Sequence, residues 1–183
     1  GSAKTYKFKL VQNSFFSNLQ YDYDNKYYVS ASFRTDGSSR FGKDHRWASF
    51  WSVGAKYRIT EEKFMEAAKS WLTDLTIRGS YGTTGNQDVG DHTNADYLSW
   101  IVARDVFGYG YNYNGKPGSG HEQFGNPDLK WEKTGKFNVG IDATFLDRIF
   151  FTFDYYNHKT TDMVFAVPVS YLTGLTEYYK NIG

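Results

Sequence analysis

The chain contains no cysteine, only three prolines, and no apolar run near the ~18 residues that a transmembrane helix needs. Without cysteine there is no disulfide framework and no thiolate-based zinc or redox site, although the compartment stays open because bacterial envelope proteins also dispense with it. Charge of one sign is lacking too: 21 Lys and Arg face 20 Asp and Glu, a net charge of +1. That balance supplies no field to recruit nucleic acid or an anionic membrane surface, so a partner has to be recognised by shape. Nothing at the N-terminus reads as a signal peptide, and Gly1-Ser2 reads as a cloning remnant within an unplaced leader, residues 1–13.

What is present is an aromatic content of 20% and 18 glycines, the composition of many short strands joined by turns. The segments Phe15–Tyr23, Tyr27–Arg34, Ser49–Tyr57, Leu75–Tyr81, Phe137–Phe145 and Ile149–Tyr156 alternate apolar and polar residues at a period of two. In the second, Tyr27, Val29, Ala31 and Phe33 share one face while Tyr28, Ser30, Ser32 and Arg34 share the other. Six antiparallel, up-and-down strands are the expectation, in an all-β fold.

Two architectures use such strands. A soluble sandwich buries the apolar face against a second sheet, and a membrane barrel turns it to lipid. Here the polar faces are rich in Ser, Asn, Thr and Gly rather than in the Lys and Glu of a solvent-washed sheet, as suits a confined aqueous lumen. Tyr21, Tyr23, Tyr27, Tyr57 and Tyr81 fall at strand ends on the apolar side, where an interfacial girdle would lie. These features favour a segment of a larger transmembrane barrel; an independently folding, soluble carbohydrate-binding β-sandwich module is the alternative.

The links at Asp24–Lys26 and at Leu146-Asp147 are short, whereas 35–46 and roughly 82–130 are long, which assigns the short turns to a periplasmic side and the long loops to an outer one. Residues 58–70 fit neither class. With Thr60 as a plausible N-cap, Glu61 and Glu62 in the first turn and Phe64, Ala67, Ala68 and Trp71 at helical spacing, they predict a short helix near residues 61–69 at the periplasmic rim.

Asp36–Phe41 (DGSSRF) with Arg46-Trp47, Trp71-Leu72 with Arg78–Gln87 (RGSYGTTGNQ), Asn126–Glu132 (NPDLKWE) with Asn138-Val139-Gly140, and Asp154-Tyr155-Tyr156 with Thr161-Asp162 carry a resemblance in order and spacing. Over residues 14–183 the chain resembles the SusC/RagA family of TonB-linked outer-membrane receptors. The resemblance implies a partial β-barrel segment in a bacterial outer membrane, contributing wall and outer loops to glycan or peptide uptake. It further implies a SusD-like surface lipoprotein and TonB as partners of the full-length parent. No plug domain and no TonB box are read in the chain, and six strands are fewer than the eight or so that close a barrel, so an isolated fragment is expected to self-associate through open edges.

Other chemistry reads weakly. Gly110, Gly115 and Lys116 match a phosphate-loop spacing, but Pro117 stands where a magnesium-binding hydroxyl belongs. Asp88, Asp91, Asn94 and Asp96 lack calcium-loop spacing; His45, His92, His121 and His158 show no zinc spacing; Glu61-Glu62 is explained by the helix start. No catalytic residue, cofactor or metal is expected, and no nucleic acid. The ligand-binding candidates are Trp100, Tyr109, Tyr111 and Tyr113, rings set among Gly and Asn in Tyr97–Phe124 that suit the faces of a sugar, a peptide backbone or a protein partner.

Overall fold

Alternating side chains drive strands as far as a neighbour continues the hydrogen-bond ladder, and in a computed structural model that describes residues 9–88 and 102–183 the ladders run long. The elements are β1 (Gln12–Tyr23), β2 (Tyr27–Ser38), β3 (Trp47–Arg58), β4 (Leu72–Asn86), β5 (Val106–Tyr113), β6 (Lys116–Gln123), β7 (Glu132–Phe145), β8 (Ile149–Thr161), β9 (Met163–Pro168) and β10 (Glu177–Ile182). Six of them make one antiparallel sheet in the order β1-β2-β3-β4-β7-β8, while β5–β6 and β9–β10 are separate hairpins.

The register carries one apolar face across the whole sheet. Tyr21, Val29, Ala55, Gly79, Val139 and Tyr155 form one transverse row, and Tyr23, Tyr27, Tyr57, Ile77, Ile141 and Phe153 the next. Paired residues point to the same side, so a one-residue slip anywhere would turn a strand inside out. Phe15, Leu19, Phe33, Trp51, Phe151 and Phe153 on this face are all exposed. Among the described residues no second sheet is stacked on it, which removes the packing that a sandwich requires.

Aromatic rings cluster at both ends of that face. Tyr27 stacks on Tyr57 with ring centroids 5.0 Å apart at the short-turn end, and Phe15 stacks on Trp47 at 6.1 Å near the long-loop end. Phe15 to Tyr23 is eight residue steps within β1, about 27 Å along the strand and roughly 20 Å of height at the usual barrel tilt. Tyr81 departs from the expected girdle: β4 extends to Asn86, so Tyr81 sits mid-strand, paired with Phe137 and touching Trp51.

Two further expectations change. The strands reach beyond the alternating segments because polar residues such as Asp36 and Gly37 still complete ladders with both neighbours. The rim helix is two 3₁₀ turns, Ile59–Glu61 and Lys63–Ala68. Between them Glu62 stays extended (φ −78°, ψ 144°), which interrupts α-helical bonding, and Thr60 is not the N-cap but a buried residue whose hydroxyl meets Asp74 and the Leu75 amide. The stretch with the discounted phosphate-loop spacing forms a hairpin: Asn114 (φ 50°) and Gly115 (φ 75°) make the β5–β6 turn, with both central residues in the left-handed region.

Candidate functional site

The other face of the sheet is the candidate pore wall. Even-numbered residues of β2 and β3 point here, and serines and glycines keep it shallow: Ser32 and Ser52 share a hydrogen bond at 2.7 Å, and Thr134 and Thr160 another at 2.9 Å. The wall encloses a groove of about 600 Å³ lined by Gln20, Ser30, Lys56, Arg78, Ser80 and Asn138, and a second of about 310 Å³ nearer the long loops, lined by Gln12, Arg34, Asp36 and Asn86 among others.

Charge on the wall is locally cancelled. Arg78 on β4 donates from Nε to Asp142 on β7 at 2.9 Å and pairs through Nη2 with Asp154 on β8 at 2.6 Å. To reach β8 the guanidinium crosses Gly140, where an added Cβ would lie 2.5 Å from Asp154 Oδ1 and 2.7 Å from Arg78 Cζ. One arginine thus ties three strands, and glycine is what leaves it room. Arg78, Gly140 and Asp154 belong to the stretches that carry the family resemblance, and their placement gives them a structural use.

Where the wall meets the long loops lies a buried core of Phe41, Ala48, Phe50, Val102, Leu129 and Trp131, with Val164 and Tyr179 packed against it. Ala48 and Phe50 project from the wall side of β3, so the loops fold inward over the groove. Trp131 contacts the rings of Phe41 (5.2 Å) and Phe50 (5.9 Å) and donates its indole N–H to the Arg46 carbonyl at 3.0 Å. Leu129 is 0% exposed. The segment Asn126–Trp131 is further tied to the last hairpin. Asn126 Nδ2 donates to the Tyr179 carbonyl at 2.8 Å, the Lys130 amide donates to Asn181 Oδ1 at 2.8 Å, and Asn181 Nδ2 donates to the carbonyls of Lys130 (3.0 Å) and Asp162 (2.6 Å).

The 36–47 connection serves the same core. Arg34 Nε donates to the buried Asp36 at 2.7 Å, Ser38 Oγ accepts from the Arg40 amide, and the buried Arg40 donates to the Gln87 carbonyl and pairs with Asp88 at 3.4 Å. Arg40 therefore braces the loop against the end of β4, while Lys43 stays exposed at the start of a 3₁₀ turn, Lys43–His45. Among the described metal candidates, Asp88 is engaged by Arg40; Asp91, His92, Asn94 and Asp96 lie outside the described residues.

Of the ligand-binding candidates, Tyr109 and Tyr111 stand on β5, 88% and 51% exposed. Tyr113 closes the same strand before the Asn114-Gly115 turn; Trp100 lies outside the described residues. The base of the hairpin is braced by His121 between Phe107 (4.3 Å) and Phe124 (4.9 Å), so the candidate tyrosines ride on a β-hairpin, with a register shift between Tyr109 and Tyr111, rather than on an irregular loop. Sequence reasoning missed this hairpin, though Asn114-Gly115 between aromatic residues was the signal for it. It also missed β9–β10 and the tie made by Asn181, for which no local pattern exists.

Residues 2–183 match the family described as TonB dependent receptor-like, beta-barrel. The chain is 36% identical over 172 residues to TonB-dependent receptor P39 of Formosa agariphila, covering 93% of this chain and 16% of that protein. It is 37% identical over 177 residues to TonB-dependent receptor SusC of Bacteroides thetaiotaomicron, covering 93% and 17%. Among solved structures, that of the RagAB peptide transporter superposes with a TM-score of 0.81 at 36% identity, covering 95% of this chain and 18% of that one. The chain spans about a sixth of the length of the curated relatives it matches.

Proposed function

The chain belongs to the TonB-dependent receptor β-barrel family, and from that premise we propose that it is a wall segment, with outer loops, of a bacterial outer-membrane receptor for nutrient uptake. The division of the six-stranded sheet into two faces carries the reading. One face is continuous, apolar and exposed, and the other is built of small polar residues around a groove. A soluble enzyme would have no use for the first, and no nucleophile or acid-base pair is needed on the second.

In this reading the short turns face the periplasm and the long loops face outward, so the buried Phe41–Leu129–Trp131 core braces the outer mouth. The cargo is an oligosaccharide or a peptide, and Trp100, Tyr109, Tyr111 and Tyr113 are the aromatic residues proposed to meet it. Both cargo classes present flat apolar faces flanked by hydrogen-bonding groups. Within the whole receptor, a SusD-like surface lipoprotein covers the mouth and TonB supplies the energy. The likeness to the RagAB peptide transporter supports the transport reading and a peptide as one cargo class, and the likeness to TonB-dependent receptor SusC supports the dependence on TonB.

Alanine replacement of Trp100, Tyr109 and Tyr111 together in the whole receptor tests the ligand role. At ~1 kcal/mol per lost ring contact, half-saturation of uptake is expected to rise about 100-fold. Unchanged uptake with normal surface levels would remove these rings from ligand recognition.

A further inference from the structure

At the short-turn end, the link between β3 and β4 folds back onto the end of the sheet: Thr60 and Glu61 are held by Asp74 and Arg58, while two later residues reach the apolar face. Two independent contacts place them there. Glu62 accepts hydrogen bonds from the hydroxyls of Tyr27 (2.6 Å) and Tyr57 (3.2 Å), the stacked pair of the outer face. Nine residues on, Trp71 stacks on Phe145 at 6.1 Å with the rings 15° from parallel, and Phe145 is the last apolar-face residue of β7. Lys26 closes the first contact from below, 3.7 Å from Glu62 and 3.2 Å from Asp24.

Between these anchors the 3₁₀ turn Lys63–Ala68 exposes Phe64 at 71%, and Trp71 remains 50% exposed beside it. One exposed phenylalanine alone would be ordinary, but here it lies between two anchors that both reach apolar-face rings. Trp71, stacked on Phe145, continues the apolar face of Tyr23, Ile77 and Ile149 past its last row, where amphipathic aromatics meet phospholipid headgroups, and Phe64 is the exposed apolar residue of the segment that Glu62 and Trp71 anchor.

We infer that residues 59–71 form an interfacial ledge that seats Phe64 and Trp71 in the phospholipid headgroup layer on the short-turn side, and that Glu62, held by Tyr27 and Tyr57, is its latch. The occupant is the same lipid that covers the apolar face, so the inference rests on the barrel reading above. Tying a connecting segment to two outward tyrosines gives the wall a membrane-depth stop that a two-residue turn cannot provide.

The test uses the whole receptor, cleared of any other cysteine, in phospholipid nanodiscs. A nitroxide is attached at Phe64→Cys, with a second preparation labelled at Phe153→Cys on the apolar face as reference. Collision with oxygen against collision with a water-soluble nickel chelate reports lipid or water. The expected result is an oxygen-dominated ratio at both positions. In the Glu62→Ala background the ratio at position 64 is expected to reverse towards the chelate, whereas Glu62→Gln, which keeps an acceptor for both hydroxyls, leaves it in lipid. Water at position 64 with lipid at position 153 overturns the ledge and leaves the barrel standing. Water at both positions overturns the barrel reading and the ledge with it. Lipid at position 64 that ignores Glu62→Ala overturns the latch.

Discussion

Trp131→Ala is the sharpest test of the idea that NPDLKW braces the outer mouth. Trp131 is 4% exposed, wedged between Phe41 and Phe50, and its indole supplies a hydrogen bond to Arg46. Truncating a buried tryptophan to alanine costs about 3–5 kcal/mol through lost transfer and the cavity left behind, and orphaning a carbonyl adds ~1 kcal/mol. The core it leaves is small and local, so the cost is felt as local opening rather than global unfolding. Amide hydrogen exchange in the whole receptor reads this directly at Asn126, Leu129 and Lys130, whose N–H groups are bonded to the Val102 carbonyl, the Asn126 carbonyl and Asn181 Oδ1. At ~1.4 kcal/mol per tenfold, protection there is expected to fall roughly 1,000-fold, with mid-wall amides such as those of Val53 and Val139 unchanged. Trp131→Phe, which keeps ring contacts but loses the N–H, is expected to cost about tenfold. A loss below tenfold for Trp131→Ala, or an equal loss across the wall, would refute the claim that this core is a separate brace.

Two glycines that look alike in sequence are expected to behave differently. A Cβ at Gly42 would lie 2.0 Å from the backbone oxygen of Pro127, which cannot swing aside, so Gly42→Ala is expected to cost about 2–3 kcal/mol of outer-loop stability by protease protection. At Gly140 the obstacles are the ends of the Asp154 and Arg78 side chains; these are substantially exposed and can turn away, so Gly140→Ala is expected to cost no more than about 1 kcal/mol, the worth of such pairs. The rim latch is pH-sensitive with a definite sign. The Tyr27 hydrogen bond, aided by the Lys26 charge, holds the Glu62 carboxyl below the ordinary glutamate range, while Asp24 raises Lys26 above its own. The Glu62 contribution is complete above the ordinary glutamate pKa and is lost as pH falls through the lowered one, and the Lys26 contribution is lost only as pH rises past the lysine range. Protection of the 59–71 amides, taken relative to intrinsic exchange at each pH, is therefore expected to fall on acidification below about pH 4 and to stay level between about 5 and 9; protection unchanged down to pH 3 would count against the latch. The isolated chain, whose sheet ends at β1 and β8, is expected to elute as oligomers without detergent and to disperse when detergent is added; a monodisperse monomer in plain buffer would contradict the exposed lipid-type face.

Much of the wall was legible because a period of two is a local property. The alternation of Tyr27–Arg34 or Phe137–Phe145 places each side chain on a face before any partner strand is known, and the spacing of turns then orders the strands. Asp24, Asn25 and Asp147, residues that tolerate positive φ, marked the tight turns, and all three adopt it. The outer mouth was far less legible. Phe41, Phe50, Leu129 and Trp131 are scattered over 91 positions and meet only because loops fold inward over the wall. DGSSRF reads as part of an outer loop, but nothing local shows that its aspartate, arginine and phenylalanine are buried.

The sequence by itself determined an all-β, two-faced wall, since the pleat converts alternation into sidedness without help from distant residues. Only the tertiary structure decided that NPDLKW and the 36–47 connection make a buried brace rather than a binding surface, that Arg78 spans three strands across Gly140, and that the β3–β4 link reaches the apolar face. Each of these depends on side chains far apart in the chain arriving within hydrogen-bond or van der Waals reach, and no local pattern encodes that meeting.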